Sequence, residues 1–412
     1  MTRKGVWNLQ QVRDKYLQSL WVNSTALWAW GGQFDDSRGL LGQNDGDNNT
    51  SVSSPVQVGS DDEGWQASGG DASSNYNSAG GNAMYSIKTD GTLWTWGYNF
   101  RGVLGLNNQG QKVSSPTQIP GTTWATVGNA GAATVSAIKT DGTLWVWGRN
   151  DNGNLGLNQP GAWMDPMRSS PTQIGSATNW TAVAGGEEFF LARKSNGELW
   201  SWGYNAQGSL GQNSTNPDNN GISSPVQIPG TTWSNDIVGS GGASFAIKTD
   251  GTLWAWGVNN DGQLGVNNKI YYSSPVQVGS GTDWATLHKN SDMTRNVMAV
   301  KTDGSLWMSG GNNYGQLGQN SRTEYSSPVQ IPGTWSTTIQ PVGVNYGRRA
   351  MAVKADNTLW AWGHNVYGVL GQNQSGPVSI SSPVQVPGNW ADVINARYTA
   401  FGIKIGLTPS QL

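Results

Sequence analysis

The chain has 412 residues, no cysteine, and 24 Lys plus Arg against 26 Asp plus Glu, a formal net charge of −2. That balance argues against a general nucleic-acid surface, and the missing thiols exclude a disulfide framework and thiolate chemistry. Charged residues make up 12% of the chain, about half the ~25% of ordinary globular proteins, and no run of 18 apolar residues suggests a membrane span.

Residues 1–22 stand apart from everything that follows. Asn8 and Gln11 form a capping box, with Trp7 and Val12 placed as its hydrophobic staple. Leu9, Val12, Tyr16 and Leu20 then recur at helical spacing. A helix of about 12 residues is marginal alone in water, so it must pack on something: on the rest of the chain as a lid, or on a larger assembly as an anchor through Trp7, Leu9, Val12, Tyr16 and Leu20. The segment lacks the apolar core of a secretory signal. For a protein working outside a cell, the expected exit is therefore lysis, a particle or a specialised route; otherwise it is cytoplasmic.

From residue 23 onward the chain repeats itself seven times. The clearest copy reads Phe245-Ala-Ile-Lys-Thr-Asp-Gly-Thr-Leu-Trp254-Ala-Trp256-Gly, then Asn259-Asn-Asp-Gly-Gln-Leu264-Gly265, then Ser273-Ser-Pro275-Val-Gln-Val, then Trp284. The first tryptophan recurs at Trp28, Trp94, Trp145, Trp200, Trp254, Trp307 and Trp360, and the proline at Pro55, Pro116, Pro171, Pro225, Pro275, Pro328 and Pro383. The closing tryptophan recurs at Trp65, Trp124, Trp180, Trp233, Trp284, Trp335 and Trp390. Periods of this size signal a propeller, solenoid or array.

Each unit holds four short strand candidates: the Phe245–Lys248 type, the Leu253–Trp256 type, the run after Pro275, and a fourth from Trp284. Asp-Gly or Asn-Gly joins the first two, as at Asp250-Gly251 and Asn196-Gly197, with Asp356-Asn357 in unit seven. These pairs suit a type I′ hairpin turn. In Leu253-Trp254-Ala255-Trp256 the side chains alternate, giving one bulky face and one small face that stack on a copy of the same sheet. Of 23 tryptophans, only Trp7, Trp21 and Trp163 lie outside the repeat. In unit six Ser309 replaces the second tryptophan, so looser packing or a filling neighbour is expected there. Unit one lacks its leading strand, and the missing type reappears as Ala400-Phe401-Gly402-Ile403-Lys404. Residues 400–404 should therefore pair with 27–30 and close the ring. The expected fold is all-β: a seven-bladed β-propeller of four-stranded blades over 23–412, with a short N-terminal helical segment over 1–22 and closure by the C-terminal strand.

The segments that vary between Leu-Gly-x-Asn and Ser-Ser-Pro are 45–52, 108–113, 159–168, 214–222, 268–272, 321–325 and 374–380, and they should cluster on one face or rim. Binding concentrates in loops on a rigid scaffold. Trp163, Met164, Arg168, Tyr271, Tyr272, Arg322 and Tyr325 fall there out of repeat register and are the candidate binding residues, since aromatic and Arg anchors typify protein hot spots. Ordinary half-buried loop packing is the competing account of each. A second variable set, 285–296 and 336–349, carries His288, Arg295, Tyr346, Arg348 and Arg349.

Catalytic chemistry has no foothold. There is no Gly-x-Ser-x-Gly elbow, no phosphate-binding Gly-x-x-x-x-Gly-Lys and no Gly-x-Gly-x-x-Gly. With two histidines and no cysteines a zinc site is not expected. Asp45-Gly-Asp47 and Asp61-Asp62-Glu63 lack calcium-loop spacing. Glu187 and Glu188, adjacent on a strand, would point to opposite faces. No enzyme activity, cofactor or metal is expected.

The unit Ala-Ile-Lys-Thr-Asp-Gly-Thr-Leu-Trp-x-Trp-Gly-x-Asn-x-x-Gly-x-Leu-Gly resembles the repeat of the regulator of chromosome condensation superfamily over all but the N-terminal segment. The resemblance implies a seven-bladed propeller. One branch comprises nucleotide-exchange factors for a small GTPase, which typically carry a histidine before the first strand; Ala184-Gly185-Gly186-Glu187-Glu188-Phe189 has none. The plant ultraviolet photoreceptor branch carries Gly-Trp-Arg-His-Thr, which is missing here. A bacterial β-lactamase inhibitor shares the tryptophan-rich, Asp-Gly style. Gly5-Val6-Trp7-Asn8-Leu9 resembles the opening of tailed-phage structural proteins. Together with the low charge, this favours a virion structural or adhesion protein of the tail or capsid, attached to other virion proteins through 1–22. Its expected partners are a host surface protein or glycan, and it is expected to be oligomeric on the particle. A soluble inhibitor of a host protein is the alternative, and an exchange factor the third reading.

Overall fold

The computed structural model describes residues 26–31, 39, 41–44, 52–59, 64–74, 82–130, 133–159, 167–215, 221–288, 295–344, 348–365, 368–373, 378–395 and 399–404. The expected helix at 1–22, its five anchor residues, and Trp163 and Met164 lie outside these.

Five four-stranded antiparallel sheets and one seven-stranded sheet make up the fold. The seven-stranded sheet is two blades sharing one long strand, Ser379–Asn395. The first part of that strand pairs with Thr358–His364 as the outer strand of blade seven, and its last part pairs with Thr399–Lys404 as the inner strand of blade one. Counted this way, there are seven blades of four strands.

Ring closure follows the expected register and goes further. Ala26 pairs with Lys404, Trp28 with Gly402 and Gly31 with Thr399. Blade one thus takes two strands from each end of the chain, not one from the C-terminal end. The reason is a one-strand offset between repeat and blade. In blade five the closing tryptophan of the preceding unit opens the inner strand, Trp233–Ser240, followed by Ala243–Lys248, Leu253–Gly257 and Tyr272–Gln277. Trp284 belongs to blade six, where it pairs with Lys301.

The tryptophan face of each third strand packs on the small face of the blade before it. Trp233 and Trp256 join Leu191, Leu199 and Ile228 of blade four in one core cluster, while Leu253 and Ala255 face Trp284 and Val297 of blade six. Trp256 is fully buried, its ring centroid lies 6.1 Å from that of Trp233, and its indole N–H donates to the Ser209 carbonyl at 2.8 Å. The repeated lysine caps this stack: Lys248 Nζ sits 3.8 Å from the Trp254 ring and 4.9 Å from that of Trp233. Such a contact contributes about 0.5–1 kcal/mol where partly exposed.

A second repeated device holds each blade to the next. Asn267 takes a left-handed conformation, φ 60°. Its N–H donates to the Ser326 carbonyl of blade six at 2.7 Å, and its side-chain oxygen accepts from the Ser327 hydroxyl at 3.2 Å. The backbone bond recurs from Asn44, Asn107, Asn158, Asn213, Asn320 and Asn373, the last reaching Ser53 of blade one at 3.1 Å. The Leu-Gly-x-Asn and Ser-Ser-Pro signatures are the two halves of this latch, which closes the ring a second time.

The hairpin turn corrects an expectation. A type I′ turn needs positive φ at both central residues, but Gly251 has φ 77° and Asp250 is not in that region. The Gly251 N–H donates to the Lys248 carbonyl and the Lys248 N–H to the Thr252 carbonyl, both at 2.9 Å, a three-residue loop with the glycine in a G1 bulge. Asp250 is held by its side chain, which accepts from the Thr252 N–H at 3.0 Å and the Thr252 hydroxyl at 2.6 Å. The same hydroxyl accepts from the Trp254 indole at 2.8 Å. These bonds hold the Asp250 carboxyl below its ordinary range.

Candidate functional site

The topology sorts the connections onto two faces. The Asp-Gly turns and the links from outer strand to the next closing tryptophan lie on one, where Thr249 N–H meets the Thr232 carbonyl. The turns from inner to second strand and the long loops from third to outer strand lie on the other, as Gly185↔Phe190, Phe189↔Gly203 and Gly203↔Ile222 show in blade four. Both variable sets read from the sequence therefore share one face, here called the loop face.

Three groups of side chains define that face among the described residues. Asp151 is shared by Arg101 of blade two at 2.7 Å and Arg149 of its own blade at 2.6 Å. Arg149 also reaches Glu188 of blade four at 3.2 Å, and Asn152 donates to the other Glu188 oxygen. Burial raises the Glu188 carboxyl above its usual range, and Arg149 opposes the shift. Glu188 is thus paired with a cation rather than with Glu187, whose N–H reaches the Gly241 carbonyl. A second group brings Tyr314 and His364 to 4.7 Å between ring centroids, with the Arg348 guanidinium 4.9 Å from the tyrosine ring. Burial, then the Arg348 and Arg349 charges, lower the His364 pKa.

The third group contains sequence candidates. Tyr271 is 42% exposed beside Ile270 at 62%, and its hydroxyl donates to Asn260 Oδ1 at 2.5 Å. Lys269 and Glu324 pair at 3.0 Å between the loops of blades five and six, and Arg322 is exposed on the neighbouring loop. Tyr271 and Arg322 thus sit on adjoining loops. Tyr272 and Tyr325 instead begin outer strands and pack half-buried against core clusters, with the Tyr272 hydroxyl accepting from Asn268. Arg168 lies apart at blade three, half-buried, donating to Gln159 at 2.9 Å.

His288 is a different case. It follows the inner strand of blade six, only 1% exposed, with Nδ1 3.2 Å from the Met298 carbonyl. Burial pushes its pKa down to about 4, so it is neutral at pH 7 and serves packing. Arg295 lies 3.8 Å from Asp261 across the loop face. No group of three or more His, Asp or Glu among the described residues is placed to hold a metal ion, and no helix there is long and apolar enough to cross a membrane. The Asp45-Gly-Asp47 and Asp61-Asp62-Glu63 segments fall outside the described residues.

Seven blades of this topology, tryptophan-stacked and closed by strands from both ends, define a propeller of the chromosome-condensation-regulator type. The RCC1-like domain matches residues 26–404, and the chain belongs to that family. The ultraviolet-B receptor UVR8 of Arabidopsis thaliana is 26% identical over 325 residues, 76% of this chain and 72% of the receptor. The regulator of chromosome condensation of Xenopus laevis is 25% identical over 338 residues, 75% of each chain. The human E3 ubiquitin-protein ligase HERC2 is 28% identical over 308 residues, 72% of this chain, which spans only 6% of the ligase. Prp20p of Saccharomyces cerevisiae shares the fold at TM-score 0.75 and 17% identity, covering 95% of this chain and 93% of its own. Human WBSCR16 does so at TM-score 0.74 and 18% identity, covering 93% and 100%. This family background is that of a protein-interaction propeller.

Proposed function

We propose that this chain is a non-enzymatic binding module that presents its loop face to a macromolecular partner, and that it works as a structural or adhesion component of a tailed-phage particle. The observation that carries the binding reading is the sorting of variation. The Asp-Gly turns repeat from blade to blade on one face, whereas on the other the loop residues beyond the repeated asparagine turn change from blade to blade and expose Tyr271, Ile270 and Arg322 together. A rigid scaffold with one variable face is the arrangement that loop-borne recognition uses. Arg168 would extend the surface at blade three, while Tyr272 and Tyr325 support it from beneath; Trp163 and Met164 remain candidates on their sequence position alone. The virion setting rests on the Gly5-Val6-Trp7-Asn8-Leu9 opening and the low charge, with residues 1–22 as the anchor.

Prp20p is described in connection with Gsp1p and histones, which keeps protein partners as the first class to test. Peptide mass spectrometry on purified phage particles from the source culture checks the setting: stoichiometric copies support it, and presence only in the soluble fraction discards it. A tight one-to-one complex with an enzyme, independent of residues 1–22, would replace it with the inhibitor reading. Accelerated nucleotide release from a small GTPase would replace it with the exchange-factor reading.

A further inference from the structure

Blades two to seven each set a lysine against the first tryptophan of the repeat, and one blade differs. Lys88 Nζ lies 4.1 Å from the Trp94 ring, Lys139 4.4 Å from Trp145, Lys194 4.1 Å from Trp200, Lys248 3.8 Å from Trp254 and Lys354 3.8 Å from Trp360. In blade six Lys301 stands back, 5.2 Å from Trp307, and an Asp283 carboxylate oxygen lies 3.1 Å from its Nζ. Among the described residues Lys139, Lys248 and Lys354 form no ion pair. Asp283 immediately precedes the closing tryptophan, a place held by Thr123, Thr232 and Thr334 in those three blades.

In blade six three groups gather around one point. A Cβ placed on Gly281 would lie 3.0 Å from Asp283 Oδ1, 3.4 Å from Trp284 Nε1 and 3.7 Å from Lys301 Nζ. Blade five has the two donors without the carboxylate. Trp233 Nε1 lies 3.4 Å from a Cβ placed on the equivalent Gly230, and this indole N–H is buried with no acceptor among the described residues. A buried donor left unpaired costs free energy that an acceptor would restore. Trp233 and Lys248 both line a groove of about 270 Å³ between blades four and five, with the half-buried Trp254 ring as a wall and Gln212, Asn213 and Ser274 beside it. The corresponding groove beside Trp307, from which the lysine is withdrawn, is larger, about 460 Å³.

We propose that the groove between blades four and five binds an acidic sugar, a saccharide ring carrying a carboxylate, and that Asp283 takes the carboxylate's place in blade six. The ligand carboxylate draws Lys248 off Trp254, as Asp283 holds Lys301 away from Trp307, and an oxygen of the same group meets the Trp233 N–H. The uncovered Trp254 ring then takes the apolar C–H face of the sugar. Asn213, whose side-chain oxygen accepts from the Ser274 hydroxyl at 3.0 Å, keeps its amide N–H groups for a sugar hydroxyl. A few polar groups around an aromatic wall is the common make-up of a small-ligand site. An acidic peptide fits less well, because Pro275 in the outer strand offers no N–H to a strand added at that edge. The groove runs between outer strands at the rim, so the proposal does not rest on the loop-face reading.

Methyl β-glucuronide, methyl β-glucoside and N-acetyl-aspartate amide are the probes, titrated into the full chain while NMR follows the indole N–H signals. The glucuronide should shift the Trp233 and Trp254 signals saturably, and the uncharged glucoside should bind at least ~5-fold more weakly. Added salt should weaken the glucuronide and leave the glucoside unchanged. Lys248→Met should weaken the glucuronide at least ~5-fold. Thr232→Asp sets a carboxylate at an exposed position where blade six has Asp283, and should weaken it as much; it carries the test should Lys248→Met not fold. Asp283→Ala should do the reverse and strengthen the response of Trp284 and Trp307. The proposal is overturned if no saturable shift appears by ~50 mM glucuronide, or if Thr232→Asp binds it as the wild type does. Binding of N-acetyl-aspartate amide as tight as that of the glucuronide would also overturn it and assign the groove to acidic peptides.

Discussion

The two faces of this ring are built from the same strands but obey different rules. On the turn face the same contacts recur in five blades: an aspartate holding Thr or Ser, that hydroxyl holding an indole, and a lysine over the ring, as in Asp90-Thr92-Trp94-Lys88 and Asp250-Thr252-Trp254-Lys248; in blade four the Glu198 carboxylate takes the hydroxyl's place on Trp200. On the loop face the turn built on an asparagine recurs, with Asn259 accepting from the Leu264 N–H and Asn312 from the Leu317 N–H, but the side chains exposed around it differ from blade to blade. Arg149 and Glu188 meet across blades three and four, His364 and Tyr314 across blades six and seven, and Tyr271 and Ile270 face solvent. A sheet that must stack on its own copy constrains the turn side and the strand interiors, and leaves the loop side free to vary.

The comparison predicts where the chain breaks. Removing residues 399–412 takes the second strand from blade one and leaves Trp28 and its neighbours without their partners Phe401 and Ile403. Cooperative melting should be lost, or Tm should fall by more than any single substitution lowers it; a truncated chain melting like the full one contradicts the closure. Next in size, Trp256→Ala should cost about 3–5 kcal/mol in chemical denaturation, the range for a buried tryptophan truncated in a core.

His288 sharpens the comparison by pH. Its folded pKa of about 4 lies below the ordinary 6.5, so the unfolded chain takes up the proton first. Stability should be fully present above about pH 6.5 and decline toward pH 4, by at most ~3 kcal/mol from this group. His288→Phe should flatten that part of the profile, and an unchanged profile would show that the imidazole is not neutral by burial. Smaller still is the inter-blade latch. Asn267→Ala loses the side-chain bond to Ser327 and forces alanine into positive φ, for a loss of about 1–2 kcal/mol. Asn267→Gly, which keeps the backbone bond without strain, should lose less, and equal losses would remove the role assigned to the left-handed conformation.

Much of this was readable in the amino-acid order. Tryptophan spacing revealed seven blades, and the absence of a leading strand before Trp28 pointed to residues 400–404. The turn type was not readable, because Asp250 is fixed by its own side chain rather than by a positive φ. The latch escaped as well: Asn267 and Ser326 lie 59 positions apart, and only stacking of neighbouring blades makes both recurrent motifs halves of one contact. At the candidate surface, position in a variable loop found exposed Tyr271 and Arg322 but could not separate them from Tyr272 and Tyr325, whose strand-initial places turn the rings toward the core. Arg149 and Asp151 were missed because their contacts to Glu188 and Arg101 form only when blades two, three and four stack, and Glu188 was read only against its neighbour Glu187.

Lysines happen to label the two faces, and this allows the central claim to be tested directly. Lys112 and Lys269 lie on the loop face, whereas Lys88, Lys139, Lys194, Lys248, Lys301 and Lys354 ring the turn face beside their tryptophans. Amine cross-linking and mass spectrometry on the full chain bound to its partner, first on intact purified particles, reads which set is engaged. Intermolecular cross-links concentrated at Lys112 and Lys269 are the predicted result. Cross-links confined to the turn-face lysines, Lys404 at the equivalent strand end of blade one included, would contradict the assignment of binding to the loop face.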